Sequence, residues 1–437
     1  MKIILLGYCF IILLGTVLLR LPAAVRDGSE QSVLTAFFTA TSSTCVTGLV
    51  RADTCTNWTL FGQAVILVLI QTGGIGFMTI CISALSLTKK NIGLASRSLM
   101  QNSISAPQLG GIVRMTKFIS LGTLLIEGIG ALLLAFYFCP LLGLGRGIWY
   151  SIFHSISAFC NAGFDLMGIQ GEYSSLTSVV GNWYVNLIIM LLIVIGGLGF
   201  FVWRNLLDSK FQYKKMLLHT RIVMFVTAFL ILGGALLLFL TEHGGDAYHD
   251  KSLSEQIAAS FFQSVSARTA GFNTVELAKM TEAGRFILIC LMMIGGSAGS
   301  TAGGIKTTTF AVLMLSIITT FRHRKSVEAF GRRMEDGIAR TASCVFMMYL
   351  LLSCGGAVLI SRIEGIAFLD ALFETVSAIA TVGLSVGLTP TLGIMSCLIL
   401  CFLMIFGRVG SMTMLLAFSS NKNIKISSLP LEKVQIG

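Results

Sequence analysis

Four short polar segments recur in an otherwise apolar chain, and each combines small, hydroxylic and glycine residues. They read FTATSSTCVTG, FHSISAFCNAG, FQSVSARTAG and FETVSAIATVG, and they end at residues 48, 163, 271 and 383. A terminal glycine allows the positive φ values that let a loop turn its carbonyl oxygens inward. Rings of carbonyls can replace the water shell of a potassium ion, whereas calcium and proton sites more often use carboxylates. Because the last residues of each segment, which form the loop before the glycine, carry no carboxylate, they predict a carbonyl-lined cation site.

A serine anchors each segment, and the glycine closes it. The serines are Ser42, Ser157, Ser266 and Ser377, and the glycine follows six residues later except in the third copy, where it follows five residues later. Either the third copy is one residue shorter, or the alignment misplaces Arg268. The serines recur about every 110 residues, which indicates an internal structural repeat. Tight turns in an unrelated helical transporter are the alternative, but they do not explain the shared serine and glycine.

Apolar runs of membrane-crossing length surround these segments. Hydrophobic residues make up 55% of the 437 residues and charged residues 12%, and a run of about 18 apolar residues is typical of a bilayer span. The runs cover residues 3–19, 64–87, 118–138, 183–203, 222–240, 285–294 continuing into 305–321, 342–360 and 392–418. The first run could also be a cleaved signal peptide, but the repeat requires a helix at this point.

The polar segments are too short to cross a bilayer, so their irregular backbone must be buried in protein or line a wet cavity. The sequence therefore predicts an all-α membrane protein. Its fold is four tandem units of membrane helix, re-entrant pore loop and membrane helix, giving eight spans around one central pore. The predicted units are residues 1–88, 89–210, 211–325 and 326–437, and the last unit ends in a cytoplasmic tail.

Charge is distributed unequally between the two sides that these spans define. One side carries 20 of the 31 basic residues and only 5 of the 20 acidic residues. The positive-inside rule places that side and both termini in the cytoplasm, so the net charge of +11 needs no nucleic-acid partner. The acidic outer face would concentrate cations near a pore mouth. The 11 cysteines show no metal-ligand spacing, and the absence of common catalytic motifs argues against an enzyme.

One predicted span is interrupted by glycine. Residues 295–304 hold five glycines, namely Gly295, Gly296, Gly299, Gly303 and Gly304. Each glycine within a helix costs up to about 1 kcal/mol relative to alanine, so a continuous helix is not expected. Residues 73–76 and 196–199 are less interrupted, which gives the third unit a special role. We expect residues 295–306 to form an intramembrane loop that blocks the pore; close helix packing through small residues is the alternative.

Two cations, Arg408 and Lys306, lie at membrane depth, Arg268 stands just before the third loop, and Glu127 lies within the third span. A buried charge in a span is costly and usually functional, so Arg408 is expected to face the pore, contact the glycine loop and repel cations. Lys306 either does similar work or extends to the cytoplasm. Arg268 is expected to tie the third segment to a carboxylate, for which Glu127 is one candidate.

Seven motifs along nearly the full chain carry a resemblance to a known family. They are TSSTCVTGL (41–49), QTGGIGFM (71–78), SAFCNAGF (157–164), SARTAGFN (266–273), GGSAGSTAGGIK (295–306), ATVGL (380–384) and FGRVG (406–410). With them the chain resembles the Trk/Ktr/HKT superfamily of cation transporters, most closely the KtrB-type membrane subunits of Ktr potassium uptake systems. The short tail, residues 430–437, also looks like the Ktr form.

The resemblance implies a potassium uptake protein of the bacterial plasma membrane, with transport often stimulated by sodium, as in a symport. It also implies a homodimer on a cytoplasmic ring of RCK-type nucleotide-binding subunits, with no organic cofactor in this chain. By position, the carbonyl groups assigned to the ion are those of Thr44, Cys45, Val46, Thr47 and Gly48; Cys160, Asn161, Ala162 and Gly163; Thr269, Ala270 and Gly271; and Ala380, Thr381, Val382 and Gly383. Each segment keeps only the first glycine of a potassium-channel filter, so a transporter that also passes sodium is the alternative.

Overall fold

Helices make up nearly all regular structure in the computed structural model, which describes residues 2–26, 32–76, 112–324 and 326–410. The helices are α1 Lys2–Leu19, α2 Val33–Cys45, α3 Thr54–Asn57, α4 Leu60–Ile75, α5 Ile112–Leu142, α6 Leu144–Cys160, α7 Trp183–Leu198, α8 Phe200–Asp208, α9 Leu218–Glu242, α10 Leu253–Ser266, α11 Glu282–Met293, α12 Thr307–Phe321, α13 Ile338–Glu364, α14 Phe368–Ile379 and α15 Ile394–Val409. Strands β1 Glu328–Ala329 and β2 Arg332–Arg333 form one small hairpin. The ends of two predicted spans, 77–87 and 411–418, and the tail 430–437 lie outside the described residues.

Three described helices are long and apolar enough to cross a membrane, by length and composition. They are Val113–Leu142, Leu218–Glu242 and Ile338–Glu364, and they contain the predicted runs 118–138, 222–240 and 342–360. The predicted span 183–203 is not one continuous helix, because the chain bends by 90° between α7 and α8. The residue at the bend is Gly199, whose φ of 96° is incompatible with a continuing helix.

Polar residues between the apolar runs fix where the buried helices begin. The Ser32 hydroxyl accepts a hydrogen bond from the Thr35 amide at 3.1 Å at the start of α2. At the start of α10, Ser252 and Glu255 bond each other's backbone amides in a capping box. These side chains satisfy amide groups that a helix start leaves unpaired. The local sequence thus sets the beginning of two of the helices that carry the recurring segments.

Helices α4, α7 and α15 end at a glycine of similar conformation. Gly76, Gly199 and Gly410 have φ values of 87°, 96° and 88° and extended ψ values. Residues 196–199 are less broken than the glycine-rich stretch, as expected, because α8 resumes directly after Gly199. The third unit differs in the length of its break, which runs from the end of α11 at Met293 to the start of α12 at Thr307.

Glycines in the same three helices lie directly against the carboxyl ends of the recurring segments' helices. A Cβ atom built on Gly73, Gly196 or Gly407 would lie 2.0, 2.0 or 1.9 Å from the carbonyl oxygen of Thr44, Phe159 or Ile379, respectively. Such distances exclude any side chain. Small residues therefore let α4, α7 and α15 approach the backbone of α2, α6 and α14.

The hydrophobic core closes on itself around the segment-bearing helices. One cluster of buried apolar side chains includes residues from α1 through α8 and from α10, and it contains Trp58. A second cluster includes residues from α9 through α12 and from α14, and Phe373 belongs to it. The third packs α13 to α15 against α1 and α2 around Phe38. The last described helices thus contact the first, and the four segment-bearing helices are held in one body.

Replacing Gly196 by alanine tests this close packing. We expect Gly196→Ala to lower the midpoint of thermal unfolding, because the new methyl group meets the Phe159 carbonyl and overpacking costs about 1–3 kcal/mol. Gly233→Ala in α9 is the matched control, since nothing lies within 4 Å of its Cβ position. That change should leave stability equal or higher by up to about 1 kcal/mol. Equal midpoints for the two variants in detergent would contradict the packing described.

Candidate cation-binding site

Each of the four recurring segments turns out of its helix through a left-handed residue. These residues are Val46, Asn161, Thr269 and Thr381, with φ values of 56°, 57°, 75° and 52°. Positive φ is uncommon for residues other than glycine and is costly for β-branched ones. Such conformations persist where the surroundings enforce them, and they cluster at functional sites.

The third copy is one residue shorter than the others. Thr269 follows the anchoring Ser266 by three residues, whereas Val46 follows Ser42 by four. The missing residue therefore belongs to the end of α10, so Arg268 stands immediately before the turn and the alignment holds. This resolves the ambiguity that the sequence leaves.

Backbone amides of the turns are paired within their own segments. The amide that follows each left-handed residue donates to the carbonyl of the anchoring serine. The bonds are Thr47 to Ser42 at 2.8 Å, Ala162 to Ser157 at 2.8 Å, Ala270 to Ser266 at 2.9 Å and Val382 to Ser377 at 2.8 Å. In three copies this is the six-residue bond of a Schellman helix end, and in the third it spans five residues. These four backbone amides are therefore already hydrogen-bonded within their own turns.

The anchoring serine side chains tie each helix to the chain beyond its glycine. Ser42 and Ser377 accept hydrogen bonds from the amides of Gly48 and Gly383, both at 3.1 Å. Ser157 donates instead to the carbonyl oxygen of Phe164 at 2.6 Å, and Ser266 donates to that of Phe272. The shared serine thus has a structural role in fixing the turn.

The four terminal glycines meet one another in cyclic order. A Cβ atom built on each glycine would lie against the carbonyl oxygen of the residue before the next glycine along the chain. These approaches are Gly48 to Ala162 at 2.4 Å, Gly163 to Ala270 at 2.8 Å, Gly271 to Val382 at 2.5 Å and Gly383 back to Thr47 at 2.2 Å. All four glycines have φ between 68° and 95°. The segments therefore form a closed ring in which only glycine fits.

The carbonyl oxygens in this ring are unpaired within the described part of the chain. Among the described residues, no group donates a hydrogen bond to the carbonyls of Thr47, Ala162, Ala270 or Val382. Buried carbonyls are nearly always paired, and carbonyl oxygens are good ligands for dehydrated monovalent cations. The arrangement can therefore bind a cation through backbone oxygen alone.

A single cavity of about 360 Å³ opens beside the ring and is lined by all four glycines. Four acidic residues also line it, namely Asp53, Asp165, Glu172 and Glu276. Asp53 has a structural role, because it accepts the amides of Cys55 and Thr56 at 2.9 Å. Burial, with a smaller contribution from the Asp53 carboxylate, raises the pKa of Asp165 to about 7. The cavity thus has several carboxylates beside the glycine ring.

Several residues assigned to the ion by position lie in helices. Thr44, Cys45 and Cys160 belong to the last turns of α2 and α6, and Ala380 caps α14. The Thr44 carbonyl lies against Gly73 of α4. The ring itself brings together the two or three residues that end each segment, which is a smaller set than the sequence suggested.

One position behind the ring was missed by sequence reasoning. It follows the shared phenylalanine in each segment and is occupied by Thr39, His154, Gln263 and Glu374, all buried. The Glu374 carboxylate accepts hydrogen bonds from the Ser385 hydroxyl at 2.6 Å, the Val386 amide at 3.1 Å and the Thr389 hydroxyl at 2.7 Å. It therefore fastens α14 to the loop that follows Gly383. An acid inside one of the recurring segments was the available signal.

The glycine-rich loop, residues 294–306, lies against the same turns. A Cβ atom on Gly303 would touch the Thr381 hydroxyl at 2.0 Å, and one on Gly295 would lie 3.1 Å from the Thr269 side chain. The Thr301 hydroxyl bonds the Phe159 carbonyl at 3.1 Å and the Asn161 side chain at 3.2 Å. Three of the four left-handed residues therefore contact the loop.

Arg408 and Lys306, the two cations expected to act at the glycine-rich loop, both contact backbone carbonyls of that loop. The Arg408 guanidinium donates to the carbonyls of Thr301 and Gly73, and to that of Gly74 at 3.0 Å. It thus links the loop to the carboxyl end of α4, where a positive charge is favourable. The Lys306 ammonium donates to Ala302 at 2.8 Å. The Lys306 side chain therefore folds back onto the loop.

The expectation that Arg268 pairs with a carboxylate is wrong. Its guanidinium donates to the Thr227 hydroxyl at 3.5 Å, and no carboxylate of the described residues pairs with it. Glu127 instead accepts from Gln71 at 2.9 Å and from the Cys160 thiol at 3.7 Å. The two charges lie in different units, and Glu127 supports the second segment.

Comparisons with known proteins agree with this architecture. A family model described as TrkH, cation transport protein, matches residues 11–426. The chain is 38% identical to the potassium/sodium uptake protein NtpJ of Enterococcus hirae, covering 99% of this chain and 96% of that protein. It is 37% identical to the Ktr system potassium uptake protein B of Bacillus subtilis, covering 97% and 94%. The crystal structure of the potassium transporter TrkH from Vibrio parahaemolyticus superposes with a TM-score of 0.71 at 21% identity, over 94% of this chain and 84% of that one.

Leucine substitutions at equivalent positions test the role of Glu374. We expect Glu374→Leu to lower the thermal midpoint and to speed proteolysis of the loop 385–391, because three donors lose their acceptor at about 1–3 kcal/mol each. Gln263→Leu is the control at the matched position of α10, since no described protein group bonds its side chain. It should change both measurements little. Equal effects of the two substitutions would show that Glu374 has no special tethering role.

Proposed function

The chain belongs to the TrkH family of cation transport proteins, and we propose that it takes up potassium ions across the plasma membrane through the glycine ring. In this proposal the four units form eight spans and four pore helices around one axis. The site is a selectivity filter made of backbone carbonyls, and potassium is its cargo.

One observation carries the proposal, namely the cyclic contact of four glycines with four carbonyls that accept no hydrogen bond from the described residues. Carbonyl rings suit a monovalent cation because they offer several neutral oxygens without the strong attraction of carboxylates. The helices α2, α6, α10 and α14 end at this ring, so their negative ends favour a cation there. The acidic cavity outside would raise the local cation concentration.

The loop of residues 295–306 is proposed as the gate on the inner side of the filter. The residues assigned to it are Gly295, Gly296, Gly299, Gly303, Gly304, Lys306 and Arg408. Its contacts with Asn161, Thr269 and Thr381 support a position across the ion path. Lys306 and Arg408 would add electrostatic repulsion of cations there. Opening requires the bonds from Arg408 to Thr301 and from Lys306 to Ala302 to rearrange.

A second candidate is transport of sodium as well as potassium. Each segment has one glycine and hence few stacked carbonyl layers, which offers fewer defined ion sites than a potassium-channel filter. The name of the relative from Enterococcus hirae includes both ions. Sodium as a stimulating or co-transported ion fits the same arrangement.

Regulation by a separate cytoplasmic subunit is also proposed. The described cytoplasmic segments 204–220 and 322–341 are too short to form a nucleotide-binding domain. An RCK-type nucleotide-binding ring would dock on the basic cytoplasmic face of a homodimer. This assembly rests on the resemblance to the Ktr systems, and both termini lie on the same cytoplasmic side in the proposal.

Potassium uptake by cells that lack their own potassium transporters tests the filter. We expect the wild-type chain to rescue growth at low potassium and Gly48→Ser to weaken potassium affinity by about tenfold or more, since each 1.4 kcal/mol is tenfold. The reason is the 2.4 Å approach of a Gly48 side chain to the Ala162 carbonyl. Gly233→Ser, whose surroundings are open, is the control. Repeating the uptake with and without sodium separates stimulation from sodium transport.

An unchanged potassium affinity in Gly48→Ser, at normal expression, would remove the carbonyl ring from the transport path. Equal uptake of sodium and potassium by the wild type would favour the second candidate.

Shortening the loop tests the gate. We expect deletion of residues 298–300 to raise potassium flux several-fold at saturating potassium, because the shorter chain cannot reach across the path. Arg408→Gln should act in the same direction, since it loses the bonds to Thr301 and Gly73. Deletion of residues 329–331 in the β1–β2 turn is a control of equal length. Flux that stays at the wild-type level in both loop variants argues against a gate.

A further inference from the structure

Helix α8 begins immediately after the bend at Gly199 and runs at 90° to α7. If α7 crosses the bilayer, α8 lies parallel to the membrane plane. The positive-inside rule places this end of α7 on the cytoplasmic side. The segment from Phe200 to Leu217, here called the surface segment, therefore lies at the boundary between the lipid and the cytoplasm.

The surface segment exposes apolar and basic side chains together. The exposed fractions are 55% for Leu207, 68% for Phe211, 56% for Tyr213 and 55% for Leu217. Lys210, Lys214 and Lys215 are exposed between them. Interfacial segments that bind anionic lipid combine large apolar side chains with lysine and arginine in this way, and aromatic residues favour the headgroup level.

The lysines of the surface segment are available to a negatively charged partner. No carboxylate of the described residues forms an ion pair with Lys210, Lys214 or Lys215. The neighbouring acid, Asp208, is bound by Arg204 at 3.0 Å. The cytoplasmic leaflet carries anionic lipid, to which each lysine near the surface contributes about 1 kcal/mol.

The amino end of the surface segment is bonded directly to the loop beneath the ring. The Phe200 amide donates to the Gly299 carbonyl at 2.8 Å, and the Ser297 amide donates to Gly197 at 2.9 Å. The Thr301 amide approaches the Gly196 carbonyl at 3.4 Å. A displacement of α8 must therefore either break the bond from Phe200 to Gly299 or carry that part of the loop with it, while the other two bonds hold the loop to the end of α7.

We propose that the surface segment binds anionic phospholipid headgroups of the cytoplasmic leaflet and thereby holds the loop in its blocking position. The lipid contacts involve Lys210, Lys214 and Lys215, with Phe211 and Leu207 inserted among the acyl chains. Anionic lipid then favours the closed state, because α8 and the loop move together. The regulatory part rests on the proposed function of the loop as a gate, whereas the lipid site does not.

Two measurements on the purified full chain test the proposal. In the first, native mass spectrometry follows titration with phosphatidylglycerol, with phosphatidylcholine as the neutral comparison. The variant Lys210→Gln/Lys214→Gln/Lys215→Gln should bind phosphatidylglycerol at least about tenfold more weakly, given about 1 kcal/mol per lysine. The control Arg322→Gln/Arg332→Gln/Arg340→Gln removes the same charge from other exposed cytoplasmic positions and should bind as the wild type does. Equal binding by the two triple variants would overturn the lipid site.

The second measurement is potassium flux in vesicles with increasing phosphatidylglycerol in phosphatidylcholine. Wild type and the arginine variant should slow several-fold as the anionic lipid increases, and the lysine variant should stay fast. Potassium flux that does not change with anionic lipid, or that changes equally in all three proteins, would overturn the proposed coupling between lipid binding and the loop. Absence of potassium flux in every vesicle would instead count against the proposed transport function, and the binding titration would still decide the lipid site.

Discussion

Backbone polar groups at membrane depth have no water to bond, and this constraint organises the molecule around the four turns. In each turn a backbone amide donates a hydrogen bond to the carbonyl of the anchoring serine, as Thr47 does to Ser42. The carbonyl groups are left facing the neighbouring segment, where the four glycines permit approaches of 2.2 to 2.8 Å from a Cβ position. Helices must then enclose the turns on every side, because lipid cannot satisfy irregular backbone. The ring of helices and its closed core follow from that requirement.

The same constraint accounts for the glycines that break the surrounding helices. Gly73, Gly196 and Gly407 admit the carboxyl ends of the segment-bearing helices. Beyond these contacts, α4, α7 and α15 all stop at a glycine of positive φ. In the third unit the interruption between α11 and α12 is longer, and its loop packs against the turns of the recurring segments. Its backbone is held by the α7–α8 junction and by Arg408 of the last helix, so three units together fix the position of one loop.

The sequence alone predicted the recurring segments, their serine and glycine positions, and the interrupted third unit. These features depend on residue type and spacing, which a chain displays directly. It could not reveal the cyclic order of the glycines, because that order depends on how the four units pack. The bend at Gly199 was missed since apolar residues continue through it on both sides. The partner of Arg268 and the tether formed by Glu374 were missed because buried polar groups find partners far along the chain or in an adjoining loop.

The central claim is that the carbonyl oxygens of Thr47, Ala162, Ala270 and Val382 surround a monovalent cation. An anomalous diffraction map of crystals of the purified protein grown with rubidium in place of potassium tests it most directly. We expect an anomalous peak on the axis between the four glycines, within coordination distance of these carbonyls, that sodium-grown crystals lack. Rubidium bound elsewhere, with no peak at the ring, would contradict the account.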